Sequence, residues 1–172
     1  HPLRGGFLPP VKLARRMWAG GSLEFLAPIP IGAEVFRKST IADVALKTGR
    51  SGILVLVTVH HEISTAVGLA VLERQDIVYR EANNAGKIDP RAEKFEIPHS
   101  DDFEEELTPD SVMLFRYSAL TFNGHRIHYD LPYAREDEGY RGLLVHGPLQ
   151  ATLLIHFAVR IASKAPARFD YR

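Results

Sequence analysis

The stretch "ILVLVTVHHEI", from Ile53 to Ile63, predicts a strand in the interior of a β-sheet. It is apolar at both odd and even positions as far as His60, so both faces of the strand are expected to be covered. Runs of apolar and β-branched residues, separated by Gly and Pro, lie on either side of it. Together these runs predict four strands, at about residues 22–28, 33–47, 52–63 and 66–79.

A polar segment separates this sheet from two predicted helices. Residues 83–106 contain two prolines and show no hydrophobic period, which is typical of a linker. The following pattern predicts a helix that has Thr108 as its N-cap and Pro109 at its first position. A second helix is predicted over residues 147–163, where a broad apolar stripe indicates that this helix forms the core of the second half.

The pattern divides the chain into an N-terminal half at residues 1–82, the linker at 83–106 and a C-terminal half at 107–172. The chain opens on His1 rather than on a methionine, and it closes on "RFDYR", which is typical of the start of a strand. We therefore expect residues to be missing at both ends.

Composition and charge narrow the classes of protein to consider. The 172 residues are 45% hydrophobic, which allows a folded core in one large domain or two small ones. Twenty-one basic residues balance 21 acidic ones, so no global field favours nucleic acid or an acidic membrane surface. No apolar run reaches the roughly 18 residues of a membrane span. Cysteine is absent, which excludes disulfides, thiolate nucleophiles and cysteine-bound zinc, and which fits the cytoplasm.

The residues "TFNGHRIHYD", Thr121 to Asp130, form the most informative polar segment. His125 and His128, with Asp130 or His146 as a third ligand, are compatible with zinc or iron, but the spacing is unspecific and lacks the glutamate of an HExxH motif. Two solvated loop histidines are a simpler interpretation. The segment alone does not decide between these alternatives and an acid/base site.

An acid/base site on a carbonyl substrate needs a base that titrates near neutrality and N–H donors for a developing oxyanion. His128 meets the first requirement. The start of the second helix meets the other, because its first N–H groups have no partner within the helix and its dipole favours negative charge. Gly147 opens that helix and allows a carbonyl oxygen to approach the backbone closely.

Three segments carry a resemblance to a known family: "FNGHRIHYD" at 122–130, "VHGPLQ" at 145–150 and "RRMWAGG" at 15–21. They resemble the MaoC-like hot-dog hydratases and dehydratases, in the branch of the mesaconyl-CoA and itaconyl-CoA hydratases and the type 2 3-hydroxyacyl-thioester dehydratases. The resemblance covers most of the chain and is weakest in the linker. It implies an α+β double hot-dog, in which each half wraps an antiparallel sheet round a helix. The activity it implies is the addition or removal of water across the double bond of an enoyl thioester.

The loop signature of that family reads aspartate, any residue, asparagine, proline, an aliphatic residue and histidine. Its final histidine falls on His128, and its aspartate falls on Asn123, an amide that can orient water but cannot accept a proton. Its asparagine falls on His125 and its proline on Arg126, so three positions depart from the signature. His128 then carries the proton transfer alone or shares it with another acid, of which Asp130 is the nearest in sequence.

The resemblance also implies roles outside the loop. Gly147 matches the glycine whose N–H the family directs at the thioester oxygen. Arg16 beside Trp18 is suited to pairing with phosphate and stacking on adenine, although a solvated arginine beside a packed tryptophan explains the pair equally well. Tyr117 and Ser118 either line the acyl pocket or hold the loop, and a structural role is preferred for Tyr117. The expected substrate-binding residues are His125, Arg126, His146, Tyr117, Ser118, Arg16 and Trp18.

The expected mechanism is hydration, in which His128 removes a proton from water held by Asn123 while the Gly147 N–H steadies the enolate-like oxygen. The expected partner is an acyl-CoA, or a thioester of acyl carrier protein, with a short branched or dicarboxylic acyl group. No cofactor, metal, nucleic acid or membrane is expected. We expect a homo-oligomer or a pseudo-dimeric double hot-dog in the cytoplasm, or in mitochondria in a eukaryote. Two alternatives remain, a binding module that has lost the chemistry and a thioesterase on the same fold.

Overall fold

The computed structural model describes residues 6–13, 15–49, 52–81 and 103–172. Most of the predicted linker therefore lies outside the described residues. The chain forms two compact units, of which one comprises His1–Asn83 and Lys164–Arg172 and the other Asn84–Ser163. No helix in the described ranges is long and apolar enough to cross a membrane.

The first unit is built on an antiparallel sheet. Its strands are β1 (Arg15–Phe25), β2 (Phe36–Gly49), β3 (Gly52–Thr65), β4 (Gly68–Arg80) and β5 (Arg168–Tyr171). They form one five-stranded sheet in the order β2-β3-β4-β1-β5. The four predicted strands and the strand predicted from "RFDYR" are confirmed. β1 begins well before the expected position, because a register shift between Trp18 and Gly20 interrupts the alternation of its side chains.

The core of this unit lies on one face of the sheet. β3 is an interior strand between β2 and β4, as its apolar sequence predicts. Val57 and Val59 are buried against Ile77 and Tyr79 of β4. Leu54, on the other face of β3, is only partly buried. The expectation that both faces are covered therefore holds only at Val57 and Val59, on one face, because Ile53 on the same face is 44% exposed.

The second unit is helical in its described residues. Its elements are α1 (Ser111–Leu120), a 3-10 turn (Arg126–His128), a π-helical turn (Tyr133–Asp137) and α2 (Gly147–Ala162). α2 confirms the second predicted helix. The predicted N-cap of α1 is wrong, because the Asp110 carboxylate, rather than Thr108, accepts the N–H of Met113 at 2.7 Å. The carboxylate also complements the positive end of the helix dipole, an advantage that a hydroxyl lacks.

α2 is not the buried helix that its apolar stripe predicts. Only Leu149 and Ala151 are buried, whereas Leu154 is 57% exposed and Ile161 is 40% exposed. The physical reason is that the described residues of this unit, 103–163, contain no strand, so this part of the unit forms no sheet that covers the stripe. β5 instead pairs with β1 in the first unit.

Candidate active site

His128 ends the 3-10 turn and is buried, with 8% of the residue exposed. Its ring Nδ1 lies 2.8 Å from the carbonyl oxygen of Leu144. Because a carbonyl oxygen only accepts, Nδ1 carries the proton, and the lone pair of the neutral ring is on Nε2. Burial lowers the pKa of His128 below its ordinary value, although the bond to Leu144 acts in the opposite direction. At neutral pH the ring is therefore uncharged, and Nε2 is able to accept a proton.

Backbone bonds hold this ring in place. The N–H of Leu144 donates to the carbonyl of Ile127 at 3.0 Å, next to the bond between Leu144 and the His128 ring. The Ile127 side chain is buried and anchors the turn. The N–H of His128 donates to the carbonyl of His125 at 3.3 Å, and the rings of these two histidines meet edge to face at 5.7 Å. The orientation of the His128 ring is thus set by main-chain hydrogen bonds to its side chain and to its own backbone.

The ring of His146 stacks on that of His128, with centroids 3.7 Å apart and planes inclined by 19°. His146 is completely buried, and its Nε2 lies 2.8 Å from the Ser118 hydroxyl. The Tyr117 ring packs against it at 4.9 Å. Burial, and secondarily the nearby His128, lower the pKa of His146 to about 4. α1 thus supplies two side chains that hold an uncharged imidazole against the His128 ring.

This stack does not suit the metal-site alternative. The in-plane lone pairs of two nearly parallel rings point alongside one another and do not converge on one ion. Asp130, the proposed carboxylate ligand, is engaged with Arg126. In the described part of the chain, no three His, Cys, Asp or Glu side chains are grouped so as to hold a metal ion.

Gly147 is the first residue of α2 and directly follows His146. Pro148 has no N–H, and the first bond within the helix runs from the Gln150 N–H to the His146 carbonyl at 3.1 Å. Within the described ranges, the Gly147 N–H donates no hydrogen bond. It is therefore a donor at the positive end of the helix dipole, one residue after the ring that stacks on His128. Such a group can stabilise an oxyanion.

Asn123 links α1 to the 3-10 turn that contains His128. Its N–H donates to the Ser118 carbonyl at 2.9 Å, and its side-chain oxygen accepts the N–H of His125 at 3.1 Å. An amide oxygen has two lone pairs, so this bond leaves capacity for a water molecule. Asn123 also lines an open groove of about 330 Å³ between α1 and the turn. The lining residues are Phe115, Ser118, Ala119, Phe122, Asn123, Gly124 and Tyr129.

Arg126 and Asp130 are engaged with each other. The guanidinium donates from Nε at 2.9 Å and from Nη2 at 2.7 Å to one carboxylate oxygen, and it lies 4.1 Å from the centre of the Tyr133 ring. The other oxygen accepts the Tyr133 N–H at 3.1 Å. This backbone bond and Arg126 hold the pKa of Asp130 below its usual range. Asp130 is therefore poorly suited to act as a general acid, and a phosphate would have to compete with it for Arg126.

Arg16 and Trp18 lie on β1, in the other unit from His128. Arg16 is exposed, and the Trp18 ring packs on Tyr171 with centroids 4.3 Å apart. A Cβ at Gly21 would meet the Arg74 carbonyl oxygen and the Tyr171 hydroxyl. Structural roles therefore explain both Gly21 and Trp18 in the segment "RRMWAGG".

Two contributors to the site were not predicted from the sequence. Leu144 acts through its carbonyl oxygen, and side-chain patterns carry no signal for a backbone acceptor. The bond between Ser118 and His146 joins residues 28 positions apart, so spacing along one helix could not indicate it. The proximity of "YS" on the first helix to "HG" before the second is visible only in the fold.

Residues 1–172 match the family model of hydroxyacyl-thioester dehydratase type 2. Mesaconyl-C(4)-CoA hydratase from Chloroflexus aurantiacus is 46% identical over 173 residues, which cover 100% of this chain and 61% of that protein. The mitochondrial hydroxyacyl-thioester dehydratase type 2 of Schizosaccharomyces pombe is 41% identical over 68 residues, 38% of this chain and 23% of the relative. The chain thus spans about three fifths of the first of these relatives and less of the second.

Solved structures show the same fold at low identity. HtdX from Mycobacterium tuberculosis superposes with a TM-score of 0.63 at 17% identity, over 94% of this chain and 62% of that one. A MaoC-like dehydratase gives a TM-score of 0.68 at 16% identity, over 94% and 60%. The antiparallel sheet with a helix is accordingly that of the MaoC-like proteins. The family resemblance is confirmed, and the chain belongs to the hydroxyacyl-thioester dehydratase type 2 family.

Proposed function

We propose that this chain carries the base and the oxyanion donor of a hydro-lyase that adds water to, or removes it from, the double bond of an enoyl thioester. The observation that carries the proposal is the hydrogen bond from His128 Nδ1 to the Leu144 carbonyl at 2.8 Å. It leaves Nε2 as a base on a buried, uncharged ring. Gly147 directly follows His146, whose ring stacks on His128. Its N–H supplies the oxyanion donor, the second group that the reaction needs.

In the proposed hydration, Nε2 of His128 removes a proton from water while the hydroxyl adds to the β-carbon of the thioester. The thioester oxygen gains negative charge, which the Gly147 N–H stabilises by about 3 kcal/mol, the usual value of one oxyanion donor. The imidazolium then returns its proton to the α-carbon, so the enzyme ends unchanged. Dehydration follows the same path in reverse. Proton transfer by a positioned base contributes about 100- to 10,000-fold.

Asn123 takes the place of the aspartate in this scheme. We propose that it orients the attacking water through the lone pair that the His125 N–H leaves unused. An amide accepts no proton, so the full proton transfer is assigned to His128. The commitment of Asp130 to Arg126 and to the Tyr133 N–H supports this assignment.

The proposed substrate is a short branched or dicarboxylic acyl-CoA, such as mesaconyl-CoA or itaconyl-CoA. The name of the relative that is 46% identical supports this choice. The groove beside Asn123 has mainly apolar walls and is a candidate for the acyl chain. We further propose a double hot-dog, with halves at residues 1–82 and 107–172, as a pseudo-dimer or a homo-oligomer. The cytoplasm is the proposed location, or mitochondria in a eukaryote, as in the names of two relatives.

Two alternatives use the same site. A non-catalytic thioester-binding module is favoured by the amide at Asn123, which removes the carboxylate of the family signature. A thioesterase would need a carboxylate that activates water at the carbonyl carbon. The nearest carboxylate in sequence, Asp130, is already bound on both oxygens, and this weighs against hydrolysis.

The test follows the enoyl-thioester ultraviolet band and the release of free thiol in the same reaction. The full-length protein is mixed with mesaconyl-CoA, itaconyl-CoA and crotonyl-CoA, beside His128→Ala, Asn123→Asp and the control His60→Ala, a change at an exposed histidine on β3. The proposal predicts loss of the band without thiol, and no loss in His128→Ala. Thiol release would support the thioesterase. Binding without either signal would support the binding module.

A further inference from the structure

We propose that Ser118 and His146 form a positioning pair, which holds an uncharged imidazole flat against His128 and thereby fixes the plane and the basicity of the catalytic ring. The catalytic part of this inference rests on the proposed function. The geometric part concerns the His128 ring alone and can be tested without substrate.

The geometry places His146 between two aromatic side chains. Its ring is stacked on His128 at 3.7 Å and packs against Tyr117 at 4.9 Å. Its Nε2 lies 2.8 Å from the Ser118 hydroxyl, which fixes the rotation of the ring about its own axis. His146 is completely buried, so water does not compete with Ser118 for this hydrogen bond.

The two nitrogens of His146 differ in a way that keeps the ring neutral. Nε2 has the Ser118 hydroxyl, whereas Nδ1 is buried and has no hydrogen-bond partner among the described residues. A protonated ring would leave an N–H⁺ without an acceptor in a buried position, next to the second imidazole of His128. Leu144 supplies such an acceptor to His128 but not to His146. This difference explains why one ring can take up a proton during the reaction while the other cannot.

A neutral platform suits the proposed reaction. When His128 accepts the proton from water it becomes a cation, and a charged neighbour at 3.7 Å would oppose that step. The face of an uncharged ring instead attracts a cation. The proton therefore stays on His128 and returns to the substrate, and His146 neither gains nor loses one.

Among the residues that the structure describes, few other groups able to titrate lie near His128. The ring of His125 meets it edge to face, and Tyr117 lies behind His146. The charges of Arg126 and Asp130 pair with each other. The uncharged state of His128 is therefore governed mainly by burial, which the His146 ring provides on one face.

The test measures the pKa of His128 by NMR titration of its ring in the full chain, beside the pH profile of kcat/KM. His146→Ala opens the stacked face to water. In this variant the pKa of His128 should rise towards the ordinary 6.5, and the acid limb of the kcat/KM profile should move to higher pH with it. The kcat should fall on the order of 100-fold, because the His128 ring is no longer held in its orientation. The double variant Ser118→Ala/His146→Phe keeps an uncharged ring and leaves no unpaired hydroxyl. It should keep the low His128 pKa and a kcat within about tenfold of the wild type.

Two outcomes would overturn the proposal. One is an unchanged His128 pKa in His146→Ala. The other is a double variant with an unchanged His128 pKa and a kcat as low as that of His146→Ala, because a nitrogen of His146 would then be needed by the substrate. If His146→Ala does not fold, Ser118→Ala and the double variant carry the test, and Ser118→Ala alone should raise the His128 pKa. The titration needs no substrate. A wild type without hydratase activity would therefore refute the proposed function, whereas the NMR titration of His128 would still test the positioning pair.

Discussion

Acidification should destabilise the protein through His146, and the size of the effect follows from its burial. The ordinary pKa of histidine is 6.5, and burial and the adjacent His128 lower that of His146 to about 4 in the folded chain. Between these values the unfolded chain binds more protons than the folded one, so the stabilising contribution is complete above pH 6.5 and is lost as the pH falls to about 4. A gap of about 2.5 pKa units corresponds to at most about 3 kcal/mol.

The assay is urea unfolding followed by helical circular dichroism, from neutral pH down to pH 4.5. Carboxylates also titrate in this range, so the quantity to use is the difference in unfolding free energy between the wild type and Ser118→Ala/His146→Phe. Between neutral pH and pH 4.5, the wild type should lose roughly 2 to 3 kcal/mol more unfolding free energy than the variant. The control His156→Gln changes an exposed histidine of α2 and should show no such shift. A difference between wild type and variant that does not depend on pH would refute the argument.

Three further substitutions test other parts of the account. Gly147→Pro removes the N–H, although proline suits the first position of a helix, so kcat should fall about 100- to 1000-fold. Gly147→Ala keeps the N–H donor, and its kcat should fall much less. Equal losses of kcat in the two variants would contradict the oxyanion role. Asp110→Ala should lower the free energy of unfolding by about 0.5–2 kcal/mol and Thr108→Ala should not, as measured by urea unfolding. Gly21→Ala places a Cβ against backbone and should lower Tm sharply, whereas Gly142→Ala meets open space; similar Tm values would show that the close packing at Gly21 is absent.

Local sequence patterns predicted where the strands and helices lie better than they predicted which of their faces are buried. The strand at Ile53 follows from a continuous run of apolar and β-branched residues, and the helix at Gly147 follows from an apolar stripe at helical spacing. Both patterns depend on neighbours in the chain. The N-cap at Asp110 was missed because Thr108 and Pro109 satisfy the same rule two residues earlier. The exposure of Leu154 was missed because an apolar stripe shows which face can be buried but not whether a sheet covers it.

In the candidate site, too, the sequence indicated some of the residues, whereas their contacts are seen only in the fold. The resemblance to the family leads to the expectation that His128 and Gly147 act together. The fold shows that His146, which precedes Gly147, stacks on His128. What sequence could not supply is the tautomer of the base, because the Leu144 carbonyl that fixes it has no side-chain signature. The engagement of Arg126 with its neighbour also required coordinates, since a charged residue in a sequence does not reveal its partner.

The proposed reaction is the addition of water to the carbon–carbon double bond with His128 as base. The most direct test is incubation of the protein with mesaconyl-CoA in ¹⁸O-labelled water, followed by mass spectrometry of the thioester, with His128→Ala in parallel. The account predicts an intact thioester that has gained one labelled water on its acyl chain, and no gain with His128→Ala. Label found only in a free carboxylic acid, or incorporation that is equal with and without the imidazole, would contradict it.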